Sequence, residues 1–215
     1  MICGVDEAGR GPVLGPLVIC AVSVDDEQAL KRLGVKDSKK LSPAKREDLE
    51  PRIRKLAHVE LVEISADELD SLMEDLTLNE IEAMKFAELV ERMSPEVAYL
   101  DAADASEENF ARMVMACLKC EPRIVSKHKA DVDFPVVSAA SIVAKVARDA
   151  RIKEIETEIG EPIGSGYASD ENTMAFLQKY MKKNGTLPPH TRKRWLPAKN
   201  IMSLKDVRAL ESFEG

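Results

Sequence analysis

The sequence is poor in the residues that make covalent cross-links or soft metal cages: it has four cysteines and three histidines in 215 residues. Four cysteines are too few for a disulfide scaffold, and Cys3 and Cys20 lie in apolar, strand-like runs where cysteine acts as a small hydrophobe. Cys117 and Cys120 have CxxC spacing, but a zinc site needs two more ligands, and the nearest histidine, His128, stands in an acidic motif of its own. No apolar run approaches the roughly 18 residues that a membrane span requires. The chain opens on a strand-like segment without a basic leader, so a cytoplasmic protein with no membrane partner is expected. There is no internal repeat and no low-complexity tract. What is plentiful is apolar content, 45% of the residues, enough for one sizeable core or one core plus an appendage.

A formal net charge of −7 taken alone argues against a nucleic-acid partner. The distribution argues the other way. Residues 172–205 hold no Asp or Glu, yet they hold Lys179, Lys182, Lys183, Arg192, Lys193, Arg194, Lys199 and Lys205. A basic segment that also carries Tyr180 and the single tryptophan, Trp195, suits contact with phosphates and sugars. The composition changes near residues 169–171, which divides the chain into an α/β body, 1–170, and a basic helical C-terminal region, 171–215.

Apolar β-like runs occur at 2–5, 16–24, 59–64, 97–100 and 124–126. Helical patterns cover 43–56, capped by Ser42, then 66–74, 78–93, 107–118, 136–159 and 171–183. Two strands followed by alternating helix and strand predict an antiparallel start and later crossovers in a mixed sheet.

Within this pattern the acids fall at the ends of elements. The first strand runs into Asp6 and Glu7, VAYL ends in Asp101, and HKADVD places Asp131 and Asp133 just ahead of a helix. If the strands of Asp6 and Asp101 are neighbours, these groups converge at one sheet edge, where like charges within about 4–6 Å raise one another's pKa unless cations lie between them. Oxygen ligands without a supporting His or Cys cluster point to a hard ion, Mg²⁺ or Mn²⁺. Such ions complete their shells with water and phosphate oxygens, which fits attack on a phosphodiester with two ions roughly 3.5–4 Å apart.

After the acids comes Gly9-Arg10-Gly11-Pro12. It is not a dinucleotide fingerprint: the third glycine position is Leu14, and Pro12 and Pro16 bracket a second strand rather than a phosphate-binding helix. The glycines let backbone groups come close to a ligand's sugar or phosphate, and Arg10 adds charge there.

Six motifs in order carry a family resemblance: GVDEAGRGPVLGPLV at 4–18, GVKDSKKLS at 34–42, YLDAAD at 99–104, HKAD at 128–131, SAASIVAKVARD at 138–149 and GSGYASD at 164–170. Over most of its length the chain resembles type 2 ribonucleases H (ribonucleases HII), most closely their archaeal branch. The resemblance implies the ribonuclease H-like fold, a five-stranded mixed sheet flanked by helices with a helical C-terminal extension. It implies an endonuclease that cuts RNA in RNA/DNA hybrids and also cuts 5′ of ribonucleotides embedded in duplex DNA. Asp6, Glu7, Asp101 and Asp131 would then be the catalytic carboxylates holding two Mg²⁺ or Mn²⁺ ions, with Asp133 a bystander. Gly9, Arg10 and Gly11 would sense the ribose 2′-hydroxyl through backbone groups, and Tyr167 would stack on the sugar of the following nucleotide.

Other motif residues are expected in supporting roles. Lys39 and Lys145 are expected to contact substrate, and His128 to hydrogen-bond a metal ligand or shuttle a proton. Some archaeal relatives end in a sliding-clamp peptide with Gln, an aliphatic residue and paired aromatics. Here Leu210 and Phe213 keep the spacing, but Val207 stands at the Gln position and Glu214 at the second aromatic, which counts against a clamp partner. The chain starts at the catalytic strand, where the related type 3 enzymes carry a further domain, which favours type 2; a monomer is expected. A DNA-only nuclease of the same fold would use the same carboxylates but have no need of the Gly-Arg-Gly and Tyr167 pairing. A non-catalytic hybrid-binding module would have no need of four acids.

Overall fold

Two apolar stretches at the start of the chain pair first. β1 (Ile2–Ala8) and β2 (Leu17–Val24) run antiparallel, in register from Ile2 opposite Val24 to Ala8 opposite Val18. β4 (Val97–Asp101) lies parallel to β1, and β5 (Arg123–Lys127) lies parallel to β4. With β3 (His58–Ile64) outside β2, the order is β3-β2-β1-β4-β5, the five-stranded mixed sheet that the element pattern predicts. Every residue of β2 is buried, which is why this strand reads as a continuous apolar run rather than an alternating one. The structure, a computed structural model, describes residues 1–35 and 40–211, with side chains through 203. Lys39 and the tail residues Phe213 and Glu214 lie outside the described residues.

The helices are α1 (Gln28–Leu33), α2 (Pro43–Leu56), α3 (Ala66–Leu72), α4 (Leu78–Met93), α5 (Glu107–Cys117), α6 (Ala130–Asp133), α7 (Pro135–Ile159), α8 (Glu171–Asn184) and α9 (Leu196–Glu211). Their starts are written in side chains that satisfy orphan N–H groups. Ser42 accepts from the Lys45 amide ahead of α2, Thr77 and Glu80 form a capping box on α4, and Asp170 accepts from the Asn172 amide on α8. α1 and α6 are too short to show a helical period in sequence. α9 starts just ahead of Pro197, a residue that suggests a break but is tolerated in a first turn, where its missing N–H has no intrahelical partner to lose.

The chain divides into two compact units. The first is Met1–Ala8, Leu17–Glu63 and Asp75–Arg148. It holds the sheet, with the small-residue face of α7 (Ala139, Ala140, Ala144) clustered with Cys20, Val22, Leu49 and Ile53. The second is Gly9–Pro16, Ile64–Glu74 and Asp149–Gly215. Its core gathers Val13, Leu14, Ile152, Ile155, Phe176, Leu177 and Ala198. This division falls after Arg148, within α7, and not at the composition change near 170. It also assigns the Gly-Arg-Gly turn to the second unit.

In the first unit α7 lies against β1 at Gly4, where an added Cβ would stand 2.4 Å from the Val136 carbonyl carbon and the Val137 nitrogen. Backbone on both sides cannot yield as a flexible side chain can. Gly4→Ala is therefore expected to destabilise the protein near the top of the range of about 1–3 kcal/mol for an overpacked core, seen as a lower urea midpoint at unchanged m-value.

Candidate active site

Strand pairing brings together the predicted carboxylates of the sheet unit. β1 and β4 are parallel neighbours with Val5 opposite Leu100, so Asp6 and Asp101 each stand one residue beyond the same rung. Asp6 is 3% exposed inside an otherwise apolar strand. Burial, then the charge of Glu7, then that of Asp101 raise its pKa well above the ordinary carboxylate value, while Lys145 and a hydrogen bond from Ser141 act in the opposite direction. The Asp6 carboxylate also accepts the backbone N–H of Glu7 at 2.7 Å.

Asp131 enters by a different route. Asp101 Oδ1 accepts the backbone N–H of Ala130 at 2.9 Å, which fixes the start of α6 beside the end of β4. Asp131, the next residue, is 1% exposed. Asp133, by contrast, is exposed and pairs with Lys127 at 3.6 Å.

Lys145 and Ser141 are four residues apart on α7, hence on one face, and Lys145 Nζ hydrogen-bonds Ser141 Oγ. The structure thus puts Lys145 at the buried carboxylate as a counter-charge. Ser141 is a residue that sequence reasoning missed, although its spacing from Lys145 was a readable signal. His128 is exposed; its Nε2 faces the Ala105 carbonyl at 3.3 Å and its backbone N–H donates to Glu107, contacts that brace the loop after β4.

The donor set is oxygen only, which suits a hard divalent ion. Among the described residues no three His, Cys, Asp or Glu side chains are gathered closely enough to enclose an ion by themselves. Cys3 and Cys20 are buried, with their thiol pKa values pushed up by desolvation, to about 12 for Cys3, so neither is a reactive thiolate.

A second group of the predicted residues belongs to the other unit. Gly9 has φ +90°, a left-handed conformation that a residue with a Cβ rarely adopts. Gly11 has no such constraint, and a Cβ there would meet only Tyr167 Cε1, at 3.8 Å. Tyr167 is 37% exposed. One carbonyl fixes these neighbours relative to each other: Gly166 O accepts from the amides of Val13 and Leu14 at 2.9 and 3.1 Å. The GSGY loop is in turn held by Thr173 Oγ1, which accepts from Gly166 N at 3.0 Å, and by Asp170, which accepts from Ser165 N and Oγ at 2.7 Å each. Those bonds hold the Asp170 carboxyl below the usual range.

The basic region needs a correction. Arg192 is fully buried, its guanidinium bonded to main-chain carbonyls, so its side chain is not a surface contact for phosphate; it lies 4.9 Å from the ring centre of the half-buried Trp195. Lys193 and Arg194 face Asp67, Asp70 and Glu74 of the same unit, and Lys179 pairs with Glu161. A linear charge count misses this because the acids that offset Lys193 and Arg194 lie more than a hundred residues upstream. Lys182, Lys183 and Lys199 are exposed.

A five-stranded mixed sheet in this order, with the buried Asp6 in β1 and the part-buried Asp101 at the end of its parallel neighbour β4, defines the ribonuclease H-like class. Residues 3–198 match the Ribonuclease HII family, and the chain belongs to that family. The ribonuclease HII of Methanoregula boonei is 44% identical over 213 residues, covering 99% of this chain and all of that protein. That of Thermococcus kodakarensis is 48% identical over 205 residues, covering 93% and 89%. The ribonuclease HII in the PCNA:RNase HII complex from Archaeoglobus fulgidus superposes with a TM-score of 0.87 at 42% identity, covering 94% of this chain and 96% of that one. The chain is accordingly a metal-dependent endoribonuclease of the ribonuclease H type. Among the described residues no helix is long and apolar enough to cross a membrane.

Proposed function

We propose that the protein hydrolyses the RNA strand of RNA/DNA hybrids and cuts on the 5′ side of single ribonucleotides in duplex DNA, leaving 3′-hydroxyl and 5′-phosphate ends. Removal of misincorporated ribonucleotides and of RNA primers is the cellular task this serves, in the cytoplasm and as a monomer. The observation that carries the reading is the buried Asp6 beside Glu7 and Asp101, a like-charge arrangement whose ionised form divalent cations among the oxygens would favour, in addition to Lys145 and Ser141.

Asp6, Glu7, Asp101 and Asp131 are the residues that would hold two Mg²⁺ or Mn²⁺ ions. When bound, such ions activate the attacking water and stabilise the leaving oxygen. The chain's own residues do the rest. Ser141 and Lys145 hold the Asp6 carboxylate in place. Backbone groups of Gly9, Arg10 and Gly11 meet the 2′-hydroxyl of the ribonucleotide, and the exposed ring of Tyr167 presses on the sugar that follows, whose lack of a hydroxyl is what lets it approach. Lys39, outside the described residues, is kept as a proposed phosphate contact.

The test is cleavage of a DNA duplex carrying one ribonucleotide, with Mg²⁺ or Mn²⁺, beside the same duplex in all-DNA form. Cutting 5′ of the ribonucleotide and none of the control is the expected result; equal cutting of both would overturn the reading in favour of a general nuclease.

Within the basic region, 171–215, affinity rather than chemistry is proposed, and it is assigned to the exposed Lys182, Lys183 and Lys199. Replacing all three with Gln is expected to weaken duplex binding and to flatten the dependence of log K on log salt by roughly 0.9 for each phosphate that the protein no longer neutralises. An unchanged slope would make this face a solvated surface only. For a sliding clamp, the Archaeoglobus fulgidus relative solved with PCNA is a precedent in that protein. Val207 and Glu214 depart from the peptide pattern, so at most a weak clamp contact is proposed here.

A further inference from the structure

Arg192 spends its donors in an unusual way for a buried arginine. Nε donates to the Gly15 carbonyl at 2.9 Å, Nη1 to the Arg10 carbonyl at 3.0 Å, and Nη2 to the Gly9 carbonyl at 2.6 Å. Its own backbone N–H donates to Val13 O at 2.9 Å, the Gly15 amide donates back to His190 O at 2.9 Å, and Leu14 bridges Thr191. The segment around Arg192 is therefore laced along the whole Gly9–Gly15 loop, and the planar fork reads two successive peptide carbonyls of the Gly-Arg-Gly turn. A lysine ammonium is a point donor and cannot span them in this fixed geometry.

The fork also decides what the turn can donate. No peptide bond among the described residues is cis, and in a trans peptide the C=O and the following N–H point in opposite directions. Holding the Arg10 carbonyl inward against the guanidinium turns the Gly11 N–H outward, at a residue that is exposed and has Tyr167 as its near neighbour. Gly9, at φ +90°, accepts from Nη2 through its own carbonyl and completes the turn. Free to rotate, the Arg10–Gly11 peptide plane could equally present its carbonyl, an acceptor, to a ligand. We infer that Arg192 is a positioning residue for hybrid cleavage: it locks the peptide planes of the Gly-Arg-Gly turn so that the Gly11 N–H faces the ribonucleotide as a donor. The inference rests on the proposed role of that turn in meeting the 2′-hydroxyl, and deepens it.

The test pairs Arg192→Lys, which keeps charge and loses the fork, with Gly11→Ala and the double variant, all assayed on the single-ribonucleotide duplex with thermal melts alongside. Arg192→Lys is expected to lower kcat/KM at least tenfold. The double variant is expected to be no worse than the more damaged single variant, because both changes remove the same contact between the Gly11 N–H and the ribonucleotide; a residue that only braced the fold would give effects that multiply. Multiplying effects, or an Arg192→Lys protein with wild-type kcat/KM, would overturn the inference while leaving the turn's role standing. A fully active Gly11→Ala protein would instead overturn the turn's role itself. Should Arg192→Lys fail to fold, amide exchange in the unaltered protein decides the matter without a variant. The Gly11 N–H is expected to exchange fast in the free protein and to slow on adding the ribonucleotide duplex without divalent metal, but not on adding the all-DNA duplex. Slow exchange in the free protein, or equal slowing by both duplexes, would overturn it.

Discussion

Asp6→Asn is expected to lower cleavage by on the order of 10³-fold or more, the rate equivalent of the several kcal/mol that correctly held ions contribute, while making the metal-free protein more stable at neutral pH. The second effect follows from the sign of the shift. The folded-state pKa of Asp6 is raised above its ordinary value of 3.8, first by desolvation, then by Glu7 and Asp101. Below that ordinary value both folded and unfolded chains are protonated at this site and the shift has no consequence. As the pH rises past it, the unfolded chain loses the proton first, so stability falls with pH until the folded carboxyl also ionises. Asparagine has no proton to lose. In EDTA the variant's melting temperature should exceed that of wild type at pH 7, and the two should converge toward pH 3. Mg²⁺ or Mn²⁺ should raise the melting temperature of wild type and raise that of the variant less. An Asn variant with near-wild-type turnover would remove Asp6 from the set of ion-holding residues. Asp101→Asn is expected to behave alike in activity, with a smaller effect on stability because Asp101 also anchors the Ala130 amide.

The second large effect is expected at the sensor. Tyr167→Ala should lower cleavage of the single-ribonucleotide duplex at least tenfold more than cleavage of a long hybrid. With a ring 37% exposed, it should cost little stability. Gly11→Ala should slow both substrates, and its fold should be untouched: the backbone there is not left-handed, and the new methyl meets only the edge of Tyr167 at ordinary contact distance. With neither φ nor internal space requiring glycine at this position, the proposed close approach of a ligand is the reason offered for it. A site built around a hydroxyl can reject an analogue lacking it by roughly 10⁴-fold, so the measured ratio between ribonucleotide and all-DNA substrates is the sensitive quantity. If Tyr167→Ala slowed the single-ribonucleotide duplex and the long hybrid equally, Tyr167 would be a packing residue.

Much of the fold is legible in the chain itself. The alternation of short apolar runs with capped helical patterns marks five strands and the mixed sheet, because burial on two faces and orphan amides at helix starts both leave local traces. Asp6 and Asp101 are readable as strand-end acids, and once β1 and β4 pair, parallel register alone brings them together. Asp131 and the pairing of Gly11 with Tyr167 needed the family resemblance, since a four-residue helix and two loops have no period to read. Long-range compensation is not legible. Ser141 acts on Asp6 across 135 positions of sequence, and the acids that offset Lys193 and Arg194 lie far upstream. Arg192 reads as a surface cation, yet its guanidinium is bonded to carbonyls some 180 residues away. The sequence by itself determined which segments become strands and helices and which acids end them, because those outcomes depend on period, caps and polarity within a few neighbours. Only the tertiary structure decided which charges face solvent and which hold the backbone, because a donor's partner depends on chain segments brought together by the core and not on anything written beside it.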